Sequence, residues 1–260
     1  MRASLRLIRR ILETETAYRL AQLRRLEVSD GNVLGLAWQQ LDAGALAQMA
    51  RHRPVPAYNR VRGVRADHVA ALEPVLAWYR AAGIKAELET ISAYCDANLA
   101  GELVRRGYFQ SGFRVMLAGR PRPPAAELSL PAQKIRSAAH LDEAWQAADA
   151  AGGGAAAELQ AEWRAALGAP GASLYVGRTP PFAGAAVLCI QDGIGYCAPA
   201  ALAPTGLELD VALLLRAIAD AAAASLPCVC VDADLFSALH HDLLGLGLKV
   251  VFVRALWTSL

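Results

Sequence analysis

Two adjacent imidazoles, His240 and His241, and two carboxylates one helical turn apart, Glu158 and Glu162, are the side chains of this chain best suited to moving a proton or holding an amine. Neighbouring residues on a helix face different directions, so at most one histidine can point into a site while the other is solvated or packed. The glutamate pair could bind or deprotonate an amine, and could equally form a wet helix face. Tyr175 and Tyr196 fall in strand-like runs, where they could donate a proton or fill a core. Asp232 and Asp234 stand at the end of another extended run, and Asp234 has the residue type that caps a following helix. A further feature is the loop Pro204-Thr205-Gly206-Leu207-Glu208-Leu209-Asp210, where a helix begins. Such a start aims N–H groups and a positive dipole at an anion, and Asp210 has the type of an N-cap. Cys228 and Cys230 lie two apart and share a face; they could pair or hold a metal, and packing as small hydrophobes is the plainer reading. No dinucleotide fingerprint, Walker loop, His-Glu-x-x-His or spaced Cys/His cluster is present, which argues against metal chemistry.

A repeated scaffold positions these groups. Laid over itself at an offset of 140, the sequence pairs Gly107 with Gly247, Arg114 with Arg254 and the run 86–91 with 226–231. Two tandem units follow, residues 1–120 and 128–260, joined at 121–127 through the proline-rich Arg120-Pro121-Arg122-Pro123-Pro124. In the first unit the pattern predicts a helix near the start, a mixed segment through Trp38 and Leu41, a strand at 58–64, a helix at 68–82, a strand at 86–91, a helix at 97–106 and a strand at 108–117. In the second it predicts helices at 141–151 and 156–167 around Gly152-Gly153-Gly154, a meander of strands at 173–176, 183–191 and 195–202, then a helix at 210–224, a strand at 228–232, a helix at 235–244 and a strand at 249–257. Asp192-Gly193 is a two-residue hairpin turn.

The chain has 260 residues, 55% hydrophobic and 19% charged, enough to bury a sizeable core. A net charge of +2 gives no field that would draw in nucleic acid. The basic opening, with Arg2, Arg6, Arg9, Arg10, Arg19, Arg24 and Arg25 around Leu5, Ile8, Leu12, Leu20 and Leu23, reads as an amphipathic helix with a solvated basic face. No export signal or bilayer-length apolar run is evident, and five cysteines without framework spacing suit a reducing compartment, so a cytoplasmic protein without membrane or nucleic-acid partners is expected. A homodimer is left open.

The first unit reads Tyr58-Asn59-Arg60-Val61-x-Gly63, Trp78-Tyr79-Arg80-x-x-Gly83, Leu103-Val104-Arg105-Arg106-Gly107-Tyr108 and Gly112-Phe113. The second has Gly184 before a strand, a strand end at Ala200-Ala201-Leu202, and the closing run Val251-Phe252-Val253-Arg254-Ala255-Leu256-Trp257. With the helical entry, meander and β-α-β-α-β order, the chain resembles tandem GNAT-type acyl-CoA N-acyltransferases over nearly its whole length. The resemblance implies an α/β (α+β) fold of two tandem halves, each a mixed, mainly antiparallel sheet flanked by helices. It implies acetyl-CoA or another acyl-CoA as co-substrate, direct transfer from the thioester to a small amine, and a cofactor site at Ala200, Ala201, Leu202, Thr205, Gly206, Leu207, Glu208 and Asp210. It makes His241 the candidate base, on the helix that passes the thioester, and Glu158 the candidate carboxylate at the acceptor cleft.

The family's pyrophosphate loop carries Arg or Gln, two residues, Gly, one residue, then Gly or Ala; here Thr205, Glu208 and Asp210 stand at those positions. Glu208 adds bulk and like charge at a cost on the order of a few kcal/mol, so weak CoA binding is expected. The alternative is a GNAT fold whose cofactor loop has decayed, serving as a ligand-binding or protein-interaction module. The first unit's equivalent loop, Val64-Arg65-Ala66-Asp67-His68, lacks glycines, although Arg65 could meet an anion.

Overall fold

The structure is a computed structural model that describes residues 4–29, 31–122, 132–150, 157–177, 184–200 and 208–259. Helix α1 (Leu5–Val28) starts where the Ser4 hydroxyl accepts the Leu7 N–H at 3.2 Å, and it turns Ile8, Ile11, Leu12, Glu15, Arg19, Gln22, Leu23 and Leu26 inward. Together with Thr14, Thr16, Tyr18 and Leu20 they form a buried stripe wider than half the helix circumference. The stripe includes Arg19, only 5% exposed, so the basic residues of this helix do not all lie on a solvated face. The first half continues with β1 (Leu36–Asp42), β2 (Ala45–Ala50), β3 (Arg60–Val64), α2 (Val69–Ala81), β4 (Glu87–Ile91), α3 (Ala97–Arg105) and β5 (Tyr108–Gly119). The second contains β6 (Ala132–Ile135), α4 (Ala138–Ala150), α5 (Ala157–Leu167), β7 (Ala172–Gly177), β8 (Ala185–Gln191), β9 (Ile194–Pro199), α6 (Glu208–Ala223), β10 (Cys228–Asp234), α7 (Ala238–Gly245) and β11 (Lys249–Ser259).

Strands β1, β2 and β6 depart from the sequence expectation. β2 is buried along its whole length, so it shows no polar–apolar alternation, and its Ala, Leu, Gln and Met are helix formers held extended by neighbours on both sides. With its β1–β2 hairpin, the first half follows from β1 to β5 the order of the second from β7 to β11, while β6 and the two-helix entry α4–α5 belong to the second.

Among the described residues the strands form one sheet in the order β1-β2-β3-β4-β11-β5-β10-β9-β8-β7-β6. The order shows that the halves exchange their last strands: β11 pairs antiparallel with β4, and β5 pairs antiparallel with β10. The exchanged strands pair with each other at the centre, where Arg114 and Arg254, matched in the sequence repeat, are direct cross-strand partners. The offset is not uniform. Gly83 and Ser225 each take up positive φ, 69° and 55°, where α2 and α6 end, although an offset of 140 would match Gly83 with Ala223.

Helices cover both faces. The core under α1, α4 and α5 takes Leu174, Val176, Val187, Tyr196 and Cys230 from the strands, while the core under α6 and α7 takes their alternate neighbours Tyr175, Ala186, Leu188, Cys197, Val229 and Val231. Helices α2 and α3 pack Leu72, Tyr79, Leu99 and Leu103 against Val61 and Leu88. Asp192 and Gly193, with φ of 48° and 77°, make the expected β8–β9 turn. Two expected helix starts move. Helix α7 is capped by Ser237, whose hydroxyl accepts the His240 N–H at 3.2 Å, so Asp234 is not its cap. Helix α6 runs from Glu208, which places Asp210 inside its first turn instead of at the cap.

Candidate functional site

The parallel strands β9 and β10 pair only from Ile194 to Cys197 and from Cys228 to Val231. Both run on, β9 to Pro199 and β10 to Asp234, with no further pairing between them among the described residues. Beyond Cys197 each strand bonds only outward. β9 pairs with β8 up to Pro199 and the Ala200 N–H donates to the Ala185 carbonyl at 2.8 Å, while β10 pairs with β5 up to Asp234. Among the described residues the sheet therefore parts between β9 and β10, and backbone groups of Ala198, Pro199 and Asp232 to Asp234 lack a strand partner across the opening. Parallel strands that diverge in this way offer main-chain donors and acceptors to an extended ligand, just before a helix start suited to an anion.

Asp232 is the first β10 residue past the last pair, and it shares the face of Cys230, toward α1. Its Oδ2 accepts from Arg114 Nε at 2.8 Å, but its Oδ1 is buried without a hydrogen bond, 3.8 Å from the likewise unbonded Nε of Arg254. A buried carboxylate oxygen that has an ion-pair neighbour but no hydrogen bond keeps unused acceptor capacity.

Behind it, beneath α1, lies a layer of buried charge. Arg254, 0% exposed, is clamped by Glu15 and bonds Glu89 at 2.6 Å. Arg62 reaches Glu89 at 3.4 Å, Arg60 pairs with Glu87, and the Tyr196 hydroxyl donates to Glu15 at 3.3 Å. Arg19, Arg60, Arg62 and Arg254, with Arg114 at the edge, face Glu15, Glu87, Glu89 and Asp232, and such mutual pairing is the condition under which buried charge is tolerated. Burial alone would raise the Glu89 carboxyl, but Arg254, Arg62 and Arg60 outweigh it and hold it at about 2. Burial, with Arg60 beside it, pulls Arg62 down to about 10. Burial and then Glu15 push the Tyr196 phenol well up, which keeps it a donor. Nothing in the local pattern of β3 and β4 announces this layer. Charged residues alternating with Val61 and Leu88 in β3 and β4 look like solvent-facing positions, and the signal was on α1, where Glu15, Arg19 and Gln22 repeat at helical spacing.

The residues singled out from the sequence do not converge on one point. Ala200 is at the opening, fully buried, and its carbonyl accepts Gln22 Nε2 at 2.7 Å. Ala201, Leu202, Thr205, Gly206 and Leu207 lie outside the described residues. Glu208 and Asp210 are in the first turn of α6 and Glu158 is in the first turn of α5; their side chains lie outside the described set. Glu158 and His241 belong to helices on opposite faces of the sheet, α5 and α7. His241 is exposed, whereas His240 is buried and accepts the Phe236 N–H through Nδ1 at 3.1 Å. Glu162 is not a wet face: it is 2% exposed and accepts the Tyr58 hydroxyl at 2.8 Å. Tyr175 is core, donating to Asp220 at 3.0 Å.

Cys189, Cys197 and Cys230 are buried free thiols; burial lifts Cys189 to about 11 and raises the other two further, so they pack as apolar groups. No cluster of three His, Cys, Asp or Glu side chains able to hold a metal occurs among the described residues, and no helix among them is long and apolar enough to cross a membrane.

The first half carries the same strands differently. β3 and β4 pair at Arg60 with Glu87 and Val61 with Leu88, bulge, and pair again at Val64 with Thr90, so they stay together to the end of β3. Gly63 sits in the bulge at φ 70°, where a Cβ would come within 2.1 Å of the Gly44 carbonyl. Arg65 binds Asp42 and bonds Asp67 at 3.2 Å, and His68 Nε2 stands 3.1 Å from Asp42. Burial alone would raise Asp42, but the Gly44 N–H, His68 and Arg65 bring it below the usual carboxylate range. Two of the three guanidinium nitrogens of Arg65, Nε and Nη2, are thus met by the protein's own carboxylates.

Solved structures of the same fold are found at low sequence identity. A GCN5-related N-acetyltransferase from Kribbella flavida aligns over 94% of this chain and 95% of its own, with TM-score 0.51 and 18% identity. A tandem GNAT protein from the clavulanic acid biosynthesis pathway aligns over 94% of both chains, with TM-score 0.52 and 12% identity. A functionally unknown conserved protein from Staphylococcus epidermidis aligns over 90% of this chain and 98% of its own, with TM-score 0.51 and 9% identity. No family model matches the sequence, and no curated protein matches it.

Proposed function

We propose that this chain, which has the fold of the tandem GCN5-related N-acetyltransferases, transfers an acyl group from an acyl-CoA to a small amine at the opening between β9 and β10. The parting of those strands after Cys197 and Val231 carries the reading, because it frees main-chain groups for a pantetheine-like arm. The Ala198–Ala200 side would hold the arm, and the start of α6 would lie nearest the pyrophosphate. A bound acyl-CoA supplies an activated acyl carbon; the amine nitrogen bonds to it, the C–S bond breaks with its electron pair leaving on sulfur, and the amine proton passes to solvent. The free Oδ1 of Asp232 accepts an N–H of the amine and orients its lone pair, while Arg114 fixes the carboxylate. His241 and Glu158 are the sequence-derived alternatives for proton transfer. The site acts in a cytoplasmic protein without nucleic-acid or membrane partners; nothing in the reading requires a second copy.

A second reading, a module that binds another ligand or a protein, is favoured by two features of the same opening. Gln22 already occupies the Ala200 carbonyl, and α6 begins with Glu208 and Asp210 where phosphate charge would rest. Titration of the protein with acetyl-CoA and longer acyl-CoAs, followed by thiol release with a panel of primary amines, separates the two. The enzyme reading expects saturable binding, turnover, and for Asp232→Asn a loss of at least about tenfold in kcat/KM with cofactor affinity unchanged. Silence at about millimolar cofactor supports the module instead.

A further inference from the structure

The closed half carries a cavity of about 570 Å³ at the ends of β3 and β4 on the α1 side, within the size range of small-molecule sites. Its wall mixes both signs of charge: two guanidiniums, Arg9 and Arg65, and three carboxylates, Glu13, Asp42 and Asp67. The inner groups are committed to one another. Asp42 accepts from Gly44 N–H, Arg65 and His68, and both oxygens of Asp67 face Arg65. The outer groups are not. Arg9 bonds through its Nε alone, to Glu13 Oε1 at 2.9 Å; its two terminal nitrogens, Arg65 Nη1 and Glu13 Oε2 make no hydrogen bond among the described residues. Between them the wall is apolar, with Leu12 and the Tyr94 ring over which the Arg65 guanidinium stands at 5.8 Å.

A purely anionic ligand meets three carboxylates in this cavity, and a purely cationic one meets two guanidiniums. A molecule that carries both charges a few ångströms apart matches the unbonded donors and the unbonded acceptor together with charge-assisted bonds. We infer that the first-half cavity binds a zwitterionic compound of the amino-acid class, its carboxylate on Arg9 and Arg65, its ammonium on Glu13 and an aliphatic side chain against Leu12 and Tyr94. The volume leaves room for a side chain longer than leucine's or for a second residue. This site is separate from the β9–β10 opening and needs no coenzyme.

The test is calorimetric titration of the full chain, without acyl-CoA, using L-leucine, N-acetyl-L-leucine and L-leucinamide, which keep one side chain and remove one charge at a time. L-Leucine is expected to bind below about 1 mM, with each singly charged analogue at least about tenfold weaker. Arg9→Gln, at a side chain 75% exposed, is expected to weaken leucine at least about fivefold without moving the thermal midpoint. Silence with leucine at about 10 mM, or an analogue that binds as well as leucine, overturns the inference. An Arg9→Gln protein that still folds and binds leucine unchanged overturns it as well. A chain that transfers no acyl group leaves this result unaffected, so the two readings fail separately.

Discussion

The two halves share one plan and differ where their parallel strands end. In the second half β9 and β10 part after Cys197 and Val231 and leave Asp232 with an unbonded oxygen at the gap. In the first, β3 and β4 rejoin at Val64 and Thr90, and Arg65 is taken up by Asp42 and Asp67. The difference teaches that the same strand pair can stay open in one copy of a repeat and be closed from within in the other. One re-formed strand pair and a carboxylate supplied by the β1–β2 hairpin do in the first half what an external anion and an extended ligand would do in the second. The strand exchange couples the two outcomes, because β11 flanks the closed pair and β5 flanks the open one.

The sharpest way to break the comparison is at its centre, where Arg254 and Arg114 are equivalent by repeat and partners by register. Arg254→Met strands Glu15 and Glu89 in the interior and is expected to cost about 3–5 kcal/mol in urea denaturation. Arg114→Met, at a partly exposed side chain with Asp232 as its buried partner, is expected to cost about 2 kcal/mol. Equal losses would mean that the two halves bury their charge alike. Gly63→Ala comes next: the left-handed backbone and the Gly44 carbonyl together predict a loss of about 2 kcal/mol or more, measured the same way, and an unchanged midpoint would mean the bulge is not tight.

Glu208→Gly is expected to raise acetyl-CoA affinity about tenfold, worth about 1.4 kcal/mol, while Asp67→Gly at the closed half leaves it unmoved. An affinity that does not respond to Glu208 removes the charge explanation for weak binding. The smallest effect is on pH. The Glu89 carboxyl is held at about 2 in the folded chain, below the ordinary value of about 4.3. Its depressed value adds stability that is complete above the ordinary one and disappears as pH falls through about 2, so unfolding free energy should decline between those points, and less so in Glu89→Gln. A wild-type and Glu89→Gln pair with parallel acid profiles would contradict that.

Much of this architecture was legible where local chemistry decides it. Glycines at 107 and 247 mark the entry to β5 and β11 at φ of 80° and 84°, Asp192-Gly193 turns a hairpin, and helical periodicity located most of the helices. What was not legible depends on contacts distant in sequence. Ala45–Ala50 is strand only because the sheet flanks it on both sides, and nothing local announces that β5 and β11 change places. The Glu158–Glu162 pair read as a possible wet face until Glu162 proved buried, and the Asp234 and Asp210 capping readings failed because each helix began elsewhere. At the site, the sequence drew attention to the strand end at Ala200 and to Asp232, but not to the orphaned oxygen that distinguishes Asp232 from its neighbours.

Amide hydrogen exchange with and without saturating acetyl-CoA tests the central claim most directly, because it reads both halves in one experiment. Slowed exchange in residues 194–200 and 228–234, with 60–64 and 87–91 unchanged, is the result expected of an open second half and a closed first. Protection that appears at 60–64 and 87–91 instead, or at neither pair, would contradict it.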